Sequence, residues 1–250
     1  MVIVYIIILF FLGATLSSFF FLVGERIPQQ IAITGRSVCN HCKKKLRFVD
    51  EFPILGFLIN LGKCHHCKKP INIQYLLYEL LGGILFVFAY LMLGLDLELI
   101  IALTLISVFL VEIVSDVLYQ IVIDKIWIIG AVIVFIIRII QGNILDYILS
   151  ATIMFSVMFL IGYIGKKIAK KDALGGGDIK LYFFIGLTIT IWNSLLSLFL
   201  ASVVALIFAL IRKGSKKRYI PLVPFIFIGV LVTYFFGDVI INWYLNLIGM

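Results

Sequence analysis

Eight apolar stretches, near 2–23, 76–93, 97–114, 126–140, 147–164, 181–191, 194–211 and 220–241, take up most of the 250 residues. Runs so long and so poor in charge are read as membrane-spanning helices, because a water-soluble domain has no interior large enough to bury them. Composition supports this: 63% of residues are hydrophobic and 14% charged, against roughly 25% charged in an ordinary soluble domain. The abundance of Ile, Leu, Val and Phe also excludes a disordered chain. The stretches 126–140 and 181–191 fall short of a usual span of ~20 residues, and Trp192-Asn193 leaves only a tight turn before the next. The first stretch has no basic segment before it and is followed by Gly24-Glu25-Arg26 rather than a small-residue cleavage site, so it is read as a retained span. The prediction is an all-α polytopic membrane protein with about eight transmembrane helices.

The net charge of +8 is explained by where the basic residues lie. Segments 24–75, 115–125, 165–180 and 212–219 hold nine, one, five and five Lys and Arg, 20 of the 21 in the chain; Arg138 alone falls near the opposite face. Cytoplasmic loops carry the excess of Lys and Arg. The expected topology is therefore a multi-pass protein of the cytoplasmic membrane with both termini outside and these four loops cytoplasmic. With that much charge absorbed by topology, the lipid bilayer is the expected partner and no nucleic acid is expected. The chain is read as a first transmembrane helix (1–23), a cytoplasmic metal-binding domain (24–75) and a membrane-embedded domain (76–250).

All four cysteines lie in the one large polar loop, as Cys39-Asn-His-Cys42 and Cys64-His-His-Cys67. Two C-x2-C knuckles supply the four thiolates of a tetrahedral structural zinc, and disulfides rarely persist in the reducing cytoplasm. The alternative is a pair of redox-active C-x-x-C motifs or unrelated thiols. His41, His65 and His66 are further possible ligands. The surrounding Lys43, Lys44, Lys45, Lys63, Lys68 and Lys69 would offset the negative charge of a four-thiolate zinc, or touch anionic headgroups or an acidic substrate segment.

Carboxylates near the membrane are the second signal, since ionisable groups at that depth are costly and usually functional. Asp116 follows the apolar run that contains Glu112, and Asp178 sits in Leu174-Gly175-Gly176-Gly177-Asp178-Ile179-Lys180, just before the 181–191 stretch. Both fall at the cytoplasmic edge, where a pair of carboxylates could serve as general base and general acid in hydrolysis. The glycines permit close backbone approach or positive φ. The plainer readings are helix caps for Asp178, Asp124, Asp146 and Asp172, a flexible turn for the triglycine, and buried pairs with Lys or Tyr for Glu79 and Glu112. Lys180 stabilises charge or binds lipid. An ion-coupled transporter stands beside hydrolysis on these residues alone.

Together, the eight spans, the double C-x2-C loop, the Asp after the third span and the G-x-G-D at Gly175–Asp178 resemble the type IV prepilin leader peptidase family, intramembrane aspartic peptidases. The resemblance covers nearly the whole chain and includes the Gram-positive members that process competence pseudopilins. Gly62-Lys63-Cys64-x-x-Cys67, with Ile71 and Tyr75…Glu79, is similar to the family's G-K-C-x-x-C…I…Y-P-x-x-E. Gly175–Leu181 is similar to its G-G-G-D-x-K-L, and Pro221-Leu222-Val223-Pro224-Phe225 to its P-F-G-P-F.

The resemblance implies that Asp116 and Asp178 are the catalytic pair and that Cys39, Cys42, Cys64 and Cys67 hold zinc, with Gly175, Gly176, Gly177 and Lys180 in the active-site loop. It implies prepilin or pseudopilin substrates, cut after a short basic leader on the cytoplasmic side, and often N-methylation of the new terminus with S-adenosylmethionine. Four positions depart from the pattern: Phe21 for an Asn, Leu76 for the Pro of Y-P-x-x-E, Ile123 for a Pro after the first aspartate, and Val223 for a Gly. No glycine-rich strand-to-helix loop for a nucleotide cofactor is present in the sequence, so methylation rests on the resemblance alone. Outside this class, the alternatives are the transporter and a non-catalytic pilus or DNA-uptake assembly factor.

Overall fold

The computed structural model describes residues 1–35, 37–39, 41–170, 174–212 and 220–249. Asp172 of the expected helix caps, and Arg36, Lys171, Lys213, Lys216, Lys217 and Arg218 of the basic loops, lie outside the described residues. The described chain is nearly all helical: α1 (Val2–Arg26), α2 (Leu55–Ile59), α3 (Ile73–Leu93), α4 (Leu97–Tyr119), α5 (Asp124–Gln141), α6 (Ile144–Ala169), α7 (Gly176–Thr188), α8 (Ile191–Ile211) and α9 (Val223–Leu247). No strand forms among the described residues beyond two isolated antiparallel bridges.

The all-α polytopic architecture expected from the sequence is present, and each long helix matches one expected stretch. The count of about eight spans is not exact. Among the described residues six helices, α1, α3, α4, α6, α8 and α9, are long and apolar enough to cross a membrane. Helix α5 carries Asp124, Lys125 and Arg138 within 18 residues. Helix α7 has 13 residues, only about 20 Å of rise.

The turn before α8 also differs from its expected place. It falls at Ile189-Thr190, not Trp192-Asn193, because those two β-branched residues adopt extended backbone angles (ψ 159° and 162°). Trp192 and Asn193 are then part of α8, and the Asn193 side chain donates to Asp238 of α9 at 2.9 Å.

The chain divides into two compact units, Met1–Val114 and Ser115–Met250. In the first, α1 and α3 run antiparallel, with Tyr5 against Tyr90 at one end and Phe21 against Tyr75 and Tyr78 at the other. Small residues let the backbones meet: a Cβ on Gly13 would lie 2.6 Å from the Gly82 carbonyl, and one on Gly82 would overlap Ser17. Such approach drives helix association where lipid offers no hydrophobic advantage.

In the second unit the same device joins α6 to α7, where a Cβ on Gly186 would lie 2.5 Å from the Ala151 backbone, and α8 to α9, where one on Gly229 would lie 2.5 Å from the Ser197 carbonyl. The short α7 is tied at its C-terminal end by Arg138 of α5. The guanidinium, 2% exposed, donates to the Thr188 carbonyl at 2.6 Å and to Gln141 at 2.7 Å, and lies over the Tyr147 ring at 3.7 Å. A cation at a helix C-terminus also complements the macrodipole. Arg138→Ala is expected to cost about 1.5–3 kcal/mol, the worth of a charge-assisted hydrogen bond. The check is thermal unfolding of the purified protein in detergent.

Candidate active site

Asp116 lies three residues before the end of α4 and Asp178 is the third residue of α7. Both are 7% exposed, and the Asp116 carboxylate acts electrostatically on that of Asp178. The two sequence-distant aspartates are thus brought together within the second unit. Each is held by backbone amides at the start of a helix. The N–H of Val223, first residue of α9, donates to Asp116 Oδ2 at 2.9 Å, and the Leu222 N–H also reaches this carboxylate. The Gly175 N–H, at the N-cap of α7, reaches back to the Asp178 carboxylate. Helix starts leave amides without intrahelical partners, and both acids fill that need. The cap expected for Asp178 is realised from the N3 position, as in a capping box.

The triglycine has separable roles. None of the three adopts positive φ; Gly175 is the N-cap of α7, and Gly176 and Gly177 are already helical. A Cβ on Gly177 would lie 2.5 Å from Val122 Cβ, whereas one on Gly176 would meet nothing within 4 Å. Close approach, not conformational freedom, is what Gly177 supplies. Lys180, one turn into α7, pairs with Asp124 at 2.8 Å, and Asp124 also accepts from Trp127 Nε1 at 3.1 Å. This ion pair joins the first turns of α5 and α7, a partner for Lys180 that sequence reading missed. Asp124, expected as a cap, lies at the first position of α5, whose N-cap Ile123 supplies no side-chain bond.

Two further buried acids lie in the helices. Glu112 is fully buried on α4. Glu79 accepts from the Ile54 N–H at 2.7 Å and from the Ser18 hydroxyl, so a backbone amide and a serine stand where the sequence suggested Lys or Tyr.

The four cysteine sulfurs of Cys39, Cys42, Cys64 and Cys67 lie within 4.8 Å of one another and could hold a metal ion. The two knuckles repeat one geometry. The Cys39 N–H bonds the Lys44 carbonyl and the Lys43 N–H bonds the Cys39 carbonyl, both at 2.9 Å; Cys64, Lys69 and Lys68 do the same at the same distances. Lys43 and Lys68 take φ of 57° and 58° to close these turns. The amides of Cys42 and His41 aimed at its sulfur pull the Cys39 thiol down to about 6, against burial, which raises it. A Zn–S bond of 2.3 Å implies tetrahedral S···S edges of about 3.8 Å, and Cys39 and Cys67 stand 3.8 Å apart. The donor set therefore fits a tetrahedral metal. His41, His65 and His66 are outside the cluster.

The profile of the bacterial peptidase A24 N-terminal domain matches residues 11–93, and that of the type IV leader peptidase family matches residues 99–210. A prepilin leader peptidase/N-methyltransferase of Bacillus subtilis (strain 168) is 30% identical over 247 residues, 96% of this chain and 98% of that protein. The chain belongs to the type IV leader peptidase family. Proteins of the same name from Vibrio cholerae (28% identical, 93% of this chain and 97% of that one) and Legionella pneumophila (28%, 84% and 76%) are similar to it. No solved structure matches the chain. Membership and the six apolar helices make it a multi-pass membrane protease.

The contrast between Gly177 and Gly176 is open to test by melting temperature in detergent. Gly177→Ala is expected to lose about 1–3 kcal/mol from overpacking against Val122. Gly176→Ala is expected to be neutral or to gain up to about 1 kcal/mol from helix propensity.

Proposed function

We propose that the chain removes the short basic leader from type IV prepilins or competence pseudopilins, with Asp116 and Asp178 as the catalytic pair. The observation that carries this reading is the meeting of these two buried carboxylates, drawn from α4 and α7, in a member of this family. One carboxylate takes a proton from water as its oxygen attacks the scissile carbonyl. The other, protonated, donates to that carbonyl oxygen; the first then passes the proton taken from water to the departing nitrogen, and the second regains its proton from the hydroxyl as the C–N bond breaks, giving a leader carboxylate and a new amino terminus. The amides of Leu222, Val223 and Gly175 fix the carboxylates before substrate arrives, a positioning contribution. The transporter and assembly-factor readings leave the family match unexplained.

The basic loops support a cytoplasmic site, with the termini outside and segment 24–75 as the cytoplasmic domain. On this reading the apolar part of the substrate lies in the bilayer and its leader stays in the cytoplasm. The four cysteines hold a structural zinc, which supplies folding energy and no open position for water. Its role is to shape the loop that receives or covers the leader. Methyl transfer from S-adenosylmethionine to the new terminus rests on the relatives' names. The groove of about 390 Å³ between α1 and α3, lined by Ile6, Phe10, Ile84 and Phe88 among others, is apolar. It does not fit a sulfonium nucleoside.

Co-expression with a prepilin, followed on gels for leader loss, tests the pair. Asp116→Asn and Asp178→Asn each keep an oxygen for the amide bonds while removing the acid. Each is expected to abolish processing at normal membrane level; full processing by either would refute the assignment. For the loop, metal analysis of the purified protein is expected to give one zinc per chain, lost on Cys→Ser at Cys39 or Cys64. Mass spectrometry of the mature pilin terminus distinguishes a methylated amino group from a free one.

A further inference from the structure

Segment 47–61 is built inside out for a loop in water. The Asp50 side chain, 6% exposed, is turned inward and held by its neighbours: Arg47 donates to both of its oxygens at 3.1 and 2.9 Å, and Asn60 Nδ2 donates to Asp50 Oδ1 at 2.9 Å and to the Gly56 carbonyl at 2.8 Å. The Arg47 guanidinium holds the Asp50 carboxyl well below the usual carboxylate range, against burial. Gly56 packs directly on the Asp50 carbonyl. With this closed polar centre, Phe48, Phe52, Leu55, Leu58, Ile59 and Leu61 are left exposed on the outside, Phe48 at 71% and Leu61 at 84%. The spacing 48, 52, 55, 59 recurs every three to four residues. The rings of Phe48 and Phe52 touch, centroids 5.8 Å apart, and so many large exposed apolar side chains on a loop otherwise rich in lysine mark an interaction face.

Its depth identifies the partner. Ile54, between the 3-10 turn Phe48–Glu51 and α2, donates its N–H to Glu79 at 2.7 Å. Glu79 is the seventh residue of α3, about 9 Å in from the end of that helix at 1.5 Å per residue. Ser18, which bonds the same carboxylate, lies eight residues before the end of α1, about 12 Å in by the same rise. Two spanning helices thus hold Ile54 at the level of their own last turns. The backbone accepts strain to stay there: Ile54 has φ of 62°, uncommon for a β-branched residue. On either side lie six exposed lysines, Lys43, Lys44, Lys45, Lys63, Lys68 and Lys69.

We propose that residues 48–61 are an interfacial membrane anchor. Their apolar face is embedded at the headgroup–acyl boundary, and the flanking lysines contact anionic phospholipid headgroups, the arrangement of a monotopic amphipathic segment. The anchor sits between the two knuckles in sequence, so it keeps the four-cysteine cluster against the membrane face. Glu79 is the latch that sets its depth.

The test reads depth and not activity, so it stands or falls apart from the peptidase reading. The native tryptophans Trp127, Trp192 and Trp243 are replaced by Phe and one Trp is introduced by Leu58→Trp or Ile59→Trp. The protein is reconstituted in vesicles of phosphatidylcholine with or without phosphatidylglycerol, carrying bromine at shallow or deep acyl positions. The expected result is blue-shifted emission, strong quenching by shallow bromine, weaker by deep, protection from aqueous iodide, and closer approach when phosphatidylglycerol is present. Red emission quenched by iodide and untouched by bromine overturns the proposal. The native chain in vesicles, exposed to a lipid-soluble diazirine and mapped by mass spectrometry, removes any question of variant folding. Labelling within 48–61 is expected, and its absence overturns the proposal. Protection from iodide that appears only at chain densities where copies cross-link assigns the face to a second copy and likewise overturns it.

Discussion

A helix that begins inside or beside a bilayer exposes amides that no water can reach, and each must find an acceptor in the protein. In this chain acidic side chains are the acceptors. Asp116 takes the amides of Leu222 and Val223 at the start of α9, Asp178 takes that of Gly175 at the start of α7, and Glu79 takes that of Ile54 at the start of α2. Arg138 does the reverse at the end of α7, donating to the Thr188 carbonyl. Helix N-termini favour negative charge and C-termini positive, so each pairing also suits the dipole it meets. The acids near the membrane, costly in isolation, sit where the fold itself calls for a negative group.

The cap bonds therefore do not compete with the catalytic role proposed for Asp116 and Asp178. A carboxylate has two oxygens, and an amide bond to one leaves the other available. Asp116 Oδ2 is the oxygen bound by Val223, so its orientation is set by α9 and not by the substrate. That is what a preorganised acid–base pair requires. Helix α7 extends the same logic along its length. Its 13 residues are too few for an ordinary span, and it is fixed at the first turn by Lys180 with Asp124 and by Gly177 against Val122. At the far end it is fixed by Arg138 and by Ser150, whose hydroxyl donates to the Ile189 carbonyl at 3.2 Å. A helix held at both ends has little freedom to shift the depth of Asp178.

Much of this was legible in the sequence, because its signals are periodic or clustered. Each of the eight apolar stretches corresponds to one helix, with ends up to six residues apart, and the two C-x2-C knuckles form one cluster. Asp116 lies close enough to Asp178 to act on it electrostatically. What was not legible involves the main chain. Nothing in the side chain of Val223 announces that its N–H will serve Asp116, and nothing in Ile54 announces a bond to Glu79. Arg138 reads in sequence as the one basic residue on the wrong face. Only the fold makes it the buried partner of a helix end. The turn at Ile189-Thr190 was missed because two β-branched residues inside an apolar run carry no Gly or Pro to mark a break.

The departures from the family pattern fit the same distinction between backbone and side chain. At Val223 a Gly is usual, yet the group in contact with Asp116 is the amide, which every residue but proline supplies; Val223 itself is fully buried. Ile123 stands where Pro is common, and its backbone lies extended at φ −89° and ψ 101° before α5, close to the conformation proline enforces. Phe21 is different, because there the side chain is the structure. Its ring packs edge-on against Tyr75 at 4.7 Å and Tyr78 at 5.3 Å, and the Tyr78 hydroxyl donates to the Leu110 carbonyl. An aromatic cluster joins α1, α3 and α4 where the family pattern carries an amide. Position 21 is thus a packing site in this chain, and Asn there would set a polar group against the rings of Tyr75 and Tyr78.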